Sequence, residues 1–149
     1  TMNYFGIDIS DGMLEMATDF SNTSIFNNYS TFNFHNNLDE IKQGTFDEIF
    51  RLSNVVILNF SYLFANLNLE QTIDLANRIN ILVETFPLNK YIIIYQNPVN
   101  KHYNFSKFKN ALKTFNKIIV RKSETVNYRN TINSQYDSSE TFTYEIITN

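Results

Sequence analysis

Asp8 stands near the end of a strand-like run, Asn3 to Ile9, directly before Ser10 and Asp11. An ionised carboxylate only accepts hydrogen bonds, so at such a place it suits a pair of ligand hydroxyls, and it suits equally the start of a helix. A second constellation is Asn59-Phe60-Ser61-Tyr62, where amide, hydroxyl and phenol groups follow the apolar run VVIL. These residues either line a reacting centre or mark where a buried strand reaches water. A third polar cluster is His35-Asn36-Asn37. His35 and His102 are the only histidines, and no H-x-x-x-H spacing exists, so the ordinary surface or hydrogen-bonded reading is preferred for both. Lys101, His102, Lys107, Lys109, Lys113 and Lys117 interleave with Tyr103, Phe105 and Phe108, a pattern shared with single-strand nucleic-acid patches. The aromatic members also fit one buried helical stripe. On that preferred reading the lysines form a solvated face and nucleic acid is not the favoured partner.

The elements that must position these groups follow from periodicity. Asn3–Ile9 predicts a strand, and Met13, Met16, Ala17 and Phe20 share one face of a following helix that starts at Ser10-Asp11. Thr31–Phe34 predicts a second strand and Thr45–Leu52 a short helix. The run within Ser53–Phe60 is apolar on both faces, which predicts a strand in the middle of a sheet with helices on each side. Leu69, Ile73, Ala76, Ile79, Val83 and Phe86 recur every three or four residues, and Pro87 ends the helix they define. Lys90–Tyr95 predicts another strand, stopped by Asn97-Pro98, and Phe105, Phe108, Leu112 and Phe115 a further helix. Lys117–Arg121 and Thr141–Thr148 predict an antiparallel pair joined by a long polar loop. This alternation predicts an α/β fold: a doubly wound, mostly parallel sheet with a C-terminal antiparallel pair, whose ligands sit beyond the carboxyl ends of the strands.

The 149 residues are 43% hydrophobic and 18% charged, which suits a single globular domain with a core of its own. With no cysteine there is neither a disulfide nor a thiolate metal site. A formal charge of −3 supplies no strong field toward nucleic acid or anionic membrane. No apolar run approaches the ~20 residues of a spanning helix, and TMNYFGIDIS lacks a signal-peptide layout. The expectation is a soluble, cytoplasmic protein without a membrane partner. Three glycines, Gly6, Gly12 and Gly44, leave no G-x-G-x-x-G or P-loop within this chain.

The string GIDISDGMLEMA, Gly6 to Ala17, resembles the second strand and following helix of class I S-adenosylmethionine-dependent methyltransferases. The element order is similar to that family from its second strand onward: NFHNN closes strand three, VVILNFSYLF is strand four with motif IV, KYIIIYQNP is strand five, and the C-terminal pair is the family's antiparallel hairpin. The resemblance implies a Rossmann-like fold and S-adenosylmethionine as cofactor. Asp8 would hold the ribose hydroxyls, Ile9 would lie against the adenine and Asn37 would read its amino group, with Ser10 and Asn36 beside them. Asn59, Phe60, Ser61 and Tyr62 would line the methyl-transfer site. NFSY lacks both prolines of the N-P-P-Y motif found in amino-methylating members, and no base-methylating activity is inferred.

The family's first strand and Gly-rich motif I have no counterpart in this chain. The resemblance places that strand between strands two and four. It therefore implies a domain incomplete at its N-terminus, with the strand and loop supplied by a second polypeptide or an upstream segment. The other expectation is a non-catalytic, methyltransferase-like module that receives a partner segment by strand addition. MNYFGIDIS also resembles the opening strand of RNase H-like nucleases and transposases, where Asp8 would hold a metal ion. That fold would make Met13–Phe20 and Ser24–Phe34 antiparallel strands.

Overall fold

The computed structural model describes residues 2–7, 11–23, 30–35, 47–101, 103–129 and 137–149. The chain divides into two compact units, Thr1–Arg51 and Leu52–Asn149. In the first, strands β1 (Met2–Ile7) and β2 (Ser30–His35) pair in parallel, Met2 opposite Ser30 and Ile7 opposite His35. Between them in sequence runs helix α1 (Asp11–Ser21), as parallel pairing requires of a crossover. Helix and parallel pair match the expected strand–helix–strand order, and they differ from the antiparallel strands that the nuclease likeness requires. The stripe expected to be buried on α1 is not: Met13, Met16 and Phe20 are all exposed. A short helix α2 (Asp47–Leu52) follows.

In the second unit the elements are β3 (Val55–Ser61), α3 (Leu63–Asn66), α4 (Leu69–Thr85), β4 (Lys90–Pro98), a 3-10 turn at Val99–Lys101, α5 (Tyr103–Ala111), β5 (Lys117–Arg129) and β6 (Asp137–Thr148). Its four-stranded sheet has the order β3-β4-β6-β5. Only β3–β4 is parallel; β4–β6 and β5–β6 are antiparallel. The sheet is therefore mixed rather than mostly parallel, because the C-terminal hairpin pairs back onto β4 through β6.

Each element has a local cause. Asn68 and Gln71 close a reciprocal capping box at the start of α4: Gln71 N–H donates to Asn68 Oδ1 and Asn68 N–H to Gln71 Oε1, both at 2.9 Å. The buried stripe of α4 is Thr72, Leu75, Ala76, Ile79, Leu82 and Val83. Alternation along β4 buries Tyr91, Ile93, Tyr95 and Asn97 on the face that the helices cover. Over this face Phe60, Phe64, Tyr95, Phe105 and Phe108 form a continuous aromatic cluster, with Tyr95 and Phe105 stacked at 3.6 Å. The Tyr91 hydroxyl donates to the carbonyls of Phe86 and Leu82 at 3.1 and 3.3 Å, tying β4 to the end of α4.

Two expectations are corrected here. VVIL is apolar on both faces, yet β3 is an edge strand among the described residues, and Val55 and Ile57 on its second face are about half exposed or more. The long polar loop expected after Arg121 is largely strand, since β5 runs to Arg129 and β6 begins at Asp137. Polar pairs across that ribbon, Thr125 with Thr141 at 2.9 Å and Ser123 with Thr143 at 3.3 Å, do the work that apolar alternation does elsewhere.

Asn80 joins α4 to the end of α5. Its Nδ2 donates to the Ala111 carbonyl at 2.9 Å and its Oδ1 accepts from Lys113 N–H at 3.0 Å, with the residue buried. Asn80→Ala removes both partners, and a loss of about 2–3 kcal/mol is expected in urea denaturation. A change below about 0.5 kcal/mol would show that water replaces the amide at no cost.

Candidate functional site

The carboxyl end of β3 meets that of β4. Tyr62 N–H donates to the Gln96 carbonyl at 2.9 Å, continuing the ladder one residue past β3. Alternation puts Asn59 and Ser61 on the exposed side, and the Ser61 hydroxyl donates to Asn59 Oδ1 at 3.2 Å. The same alternation turns Phe60 to the opposite face, where it packs edge-on against Phe64 and Phe108. Of the four residues expected to line a transfer site, Asn59, Ser61 and Tyr62 come together on accessible surface, and Phe60 belongs to the core.

Tyr62 is the one non-glycine residue with positive φ among those described, at φ 60° and ψ −2°. A bulky side chain pays roughly 1–2 kcal/mol for this left-handed conformation. The conformation is held from both sides: the Gln96 contact fixes the nitrogen, and Phe64, buried two residues later, fixes the chain that follows. The turn presents the Tyr62 ring, half exposed, edge-on to Phe142 at 5.7 Å. The resulting rim carries an amide, a hydroxyl and a phenol, all uncharged, beside the carbonyl edge of Gln96.

Asp8, Ile9, Ser10, Asn36 and Asn37, the expected cofactor-binding residues, lie outside the described residues, as does His102. The interleaved lysines separate as expected of a helix, with Phe105 and Phe108 buried under α5. Lys113 pairs with Glu84 at 2.7 Å, and Lys107 lies over the Tyr103 ring at 5.2 Å.

Lys109 is different, and it belongs to a group that sequence reasoning missed. Glu145, with a fully buried side chain, receives Lys109 Nζ at 2.5 Å and Arg121 Nη2 at 3.1 Å on one oxygen, Oε1. Its other oxygen, Oε2, is buried with no hydrogen-bond partner. Tyr95 stands opposite Glu145 in the ladder, and its hydroxyl is pushed well above the usual range, first by burial and then by the Glu145 charge. The one available signal was a glutamate inside the otherwise uncharged strand TFTYEIIT. Among the described residues, no three His, Cys, Asp or Glu side chains converge on a metal position. No helix among them is long and apolar enough to cross a membrane. No protein-family model matches the chain, and no curated protein matches it either.

Proposed function

We propose that this chain is an S-adenosylmethionine-dependent methyltransferase domain, or the C-terminal portion of one, of Rossmann-like type. The observation that carries this reading is the strand pairing: β1–β2 parallel, β3–β4 parallel, and a C-terminal antiparallel hairpin joined to β4. The resemblance orders the elements in the same way, strand two before strand three, strand four before strand five, and then the antiparallel C-terminal pair.

The rim fits the proposed cofactor in its chemistry to this extent: none of Asn59, Ser61 and Tyr62 is cationic, so none of these three side chains opposes a positive sulfonium. When bound, S-adenosylmethionine supplies a methyl group already activated by its positive sulfur. The part left to the protein is positioning: Tyr62 offers an aromatic edge and a phenol, and Ser61 and Asn59 offer a hydroxyl and an amide to orient a neutral acceptor. Asp8 is assigned to the ribose hydroxyls.

Calorimetric titration with S-adenosylmethionine and S-adenosylhomocysteine, after intact mass excludes a co-purifying polypeptide, tests the reading. Micromolar binding is expected once a first strand is present. Asp8→Ala then weakens affinity by about 1.5–3 kcal/mol, roughly tenfold to a hundredfold, with the fold unchanged. Equal affinity in the mutant would remove Asp8 from the site. The second reading, a non-catalytic module that receives a partner strand, is favoured by the open edge of β3 among the described residues. On that reading the cofactor does not bind, and Asp8→Ala leaves partner affinity unchanged.

A further inference from the structure

We infer that a second copy of this chain pairs with the outer edge of β5, antiparallel and in register about Ser123, to join two four-stranded sheets into one. β5 is 13 residues long and is the last strand of its sheet among the described residues. Every residue from Arg121 to Asn127 is exposed. A long, open edge of this kind is a template for pairing unless it is blocked; no proline or glycine interrupts β5, and its one irregularity, between Ile118 and Val120, leaves Val120–Arg129 in regular register.

Symmetry narrows the register. A two-fold axis perpendicular to a continuous sheet sets residues of the same face opposite each other, so positions i and j that pair across it share parity. Centring on Lys122 or on Glu124 would put like charges face to face. Centring on Ser123 instead sets Lys122 against Glu124 of the second copy, twice, and Val120 against Val126, twice. Lys122 and Glu124 already pair within one strand. The dimer would turn two such pairs into a four-charge cluster of alternating sign. Arg121, the nearby basic residue of the other face, is committed to Glu145 and faces Thr125 in this register.

The pairing also supports a part of the fold that has only two strands. β4 pairs with β6 over Phe142–Thr148, so Thr125–Arg129 and Asp137–Thr141 form a ribbon with no third strand among the described residues. A two-stranded ribbon is marginal in water. Arg121 and Val120 of the second copy would lie beside Thr125 and Val126 and supply the third strand.

Sedimentation analysis of the chain is expected to show a dimer. Glu124→Lys should weaken association about tenfold or more, because Lys122 would then meet a lysine at both positions. The exchange Lys122→Glu with Glu124→Lys should restore it. The native chain has no cysteine, so Ser123→Cys gives a clean probe: opposed residues lie within disulfide reach, and oxidation should link two copies, whereas Thr125→Cys should not. Circular dichroism confirms that each variant is folded, as expected for an exposed pair that contributes little to the monomer. A chain that stays monomeric at about 100 μM, a range that still populates weak dimers, would overturn the inference. So would a dimer indifferent to Glu124→Lys, an exchange that fails to restore it, or a Ser123→Cys variant that does not link.

Discussion

Lys109→Met is expected to destabilise the second unit by about 3–5 kcal/mol, the cost of removing one partner from a buried charge pair. The reason lies in the asymmetry of the cluster. The Glu145 side chain is 0% exposed, Lys109 is 19% exposed and Arg121 is 56% exposed, so Lys109 is the cation that shares its dry environment. Without it, one exposed guanidinium at 3.1 Å must balance the carboxylate, and Oε2 remains without a hydrogen-bond partner. Methionine keeps the length and apolar stem of lysine, so packing over the Phe105 ring survives and the loss reports on charge. The double replacement Lys109→Met with Glu145→Leu removes both charges and should recover most of the stability, leaving Arg121 to solvent. Urea denaturation of the three proteins checks this. A loss under about 1 kcal/mol in Lys109→Met would show that the pair behaves as a surface salt bridge.

Phe64→Ala carries the second large effect, about 3–5 kcal/mol by the ordinary cost of truncating a buried phenylalanine. Phe64 is 1% exposed and lies within 4.9–5.8 Å of the rings of Phe60, Tyr95, Phe105 and Phe108. It is also the anchor of α3, a helix of four residues that cannot hold itself in place by backbone bonds alone. Its loss should therefore release the strained turn at Tyr62, and hydrogen exchange at Leu63–Asn66 should accelerate beyond the global change in stability. Phe64→Leu fills much of the same volume and should cost under about 1.5 kcal/mol. Equal exchange rates at α3 in the alanine variant and the parent would separate the anchor from the turn.

The helix α4 and the strand β4 were legible because each had one face to bury, whereas the four-residue α3 with its single buried Phe64 left no periodic signal. The three-or-four apolar spacing from Leu69 to Phe86, with the stop at Pro87, marks α4 to within a residue of its observed limits, Leu69–Thr85. KYIIIY marks β4 because β-branched and aromatic residues of that density suit a strand covered by helices. The polar half of the hairpin was not legible. Lys122–Asn127 are all exposed, so their alternation carries no apolar signal, and cross-strand hydroxyl pairs such as Thr125 with Thr141 leave no periodic trace.

The candidate site divides in the same way. Asn59, Ser61 and Tyr62 could be named because polar residues after an apolar strand must emerge where the strand ends. That Phe60 turns inward is a consequence of strand alternation, settled by which face the helices cover. Glu145 is the plainest case of what local sequence cannot hold. Its neutralising partners lie 36 and 24 residues away, on α5 and β5, and only the insertion of β6 between β4 and β5 brings both to one carboxylate oxygen. By itself the sequence determined the order of the described strands and of the helices other than the four-residue α3, together with the polar rim at the end of β3, because these follow from the residue types of neighbouring positions. The mixed sheet, the inward Phe60 and the Lys109–Glu145–Arg121 cluster were decided only by tertiary structure, because strand neighbours and buried charge partners are chosen among segments far apart in the chain.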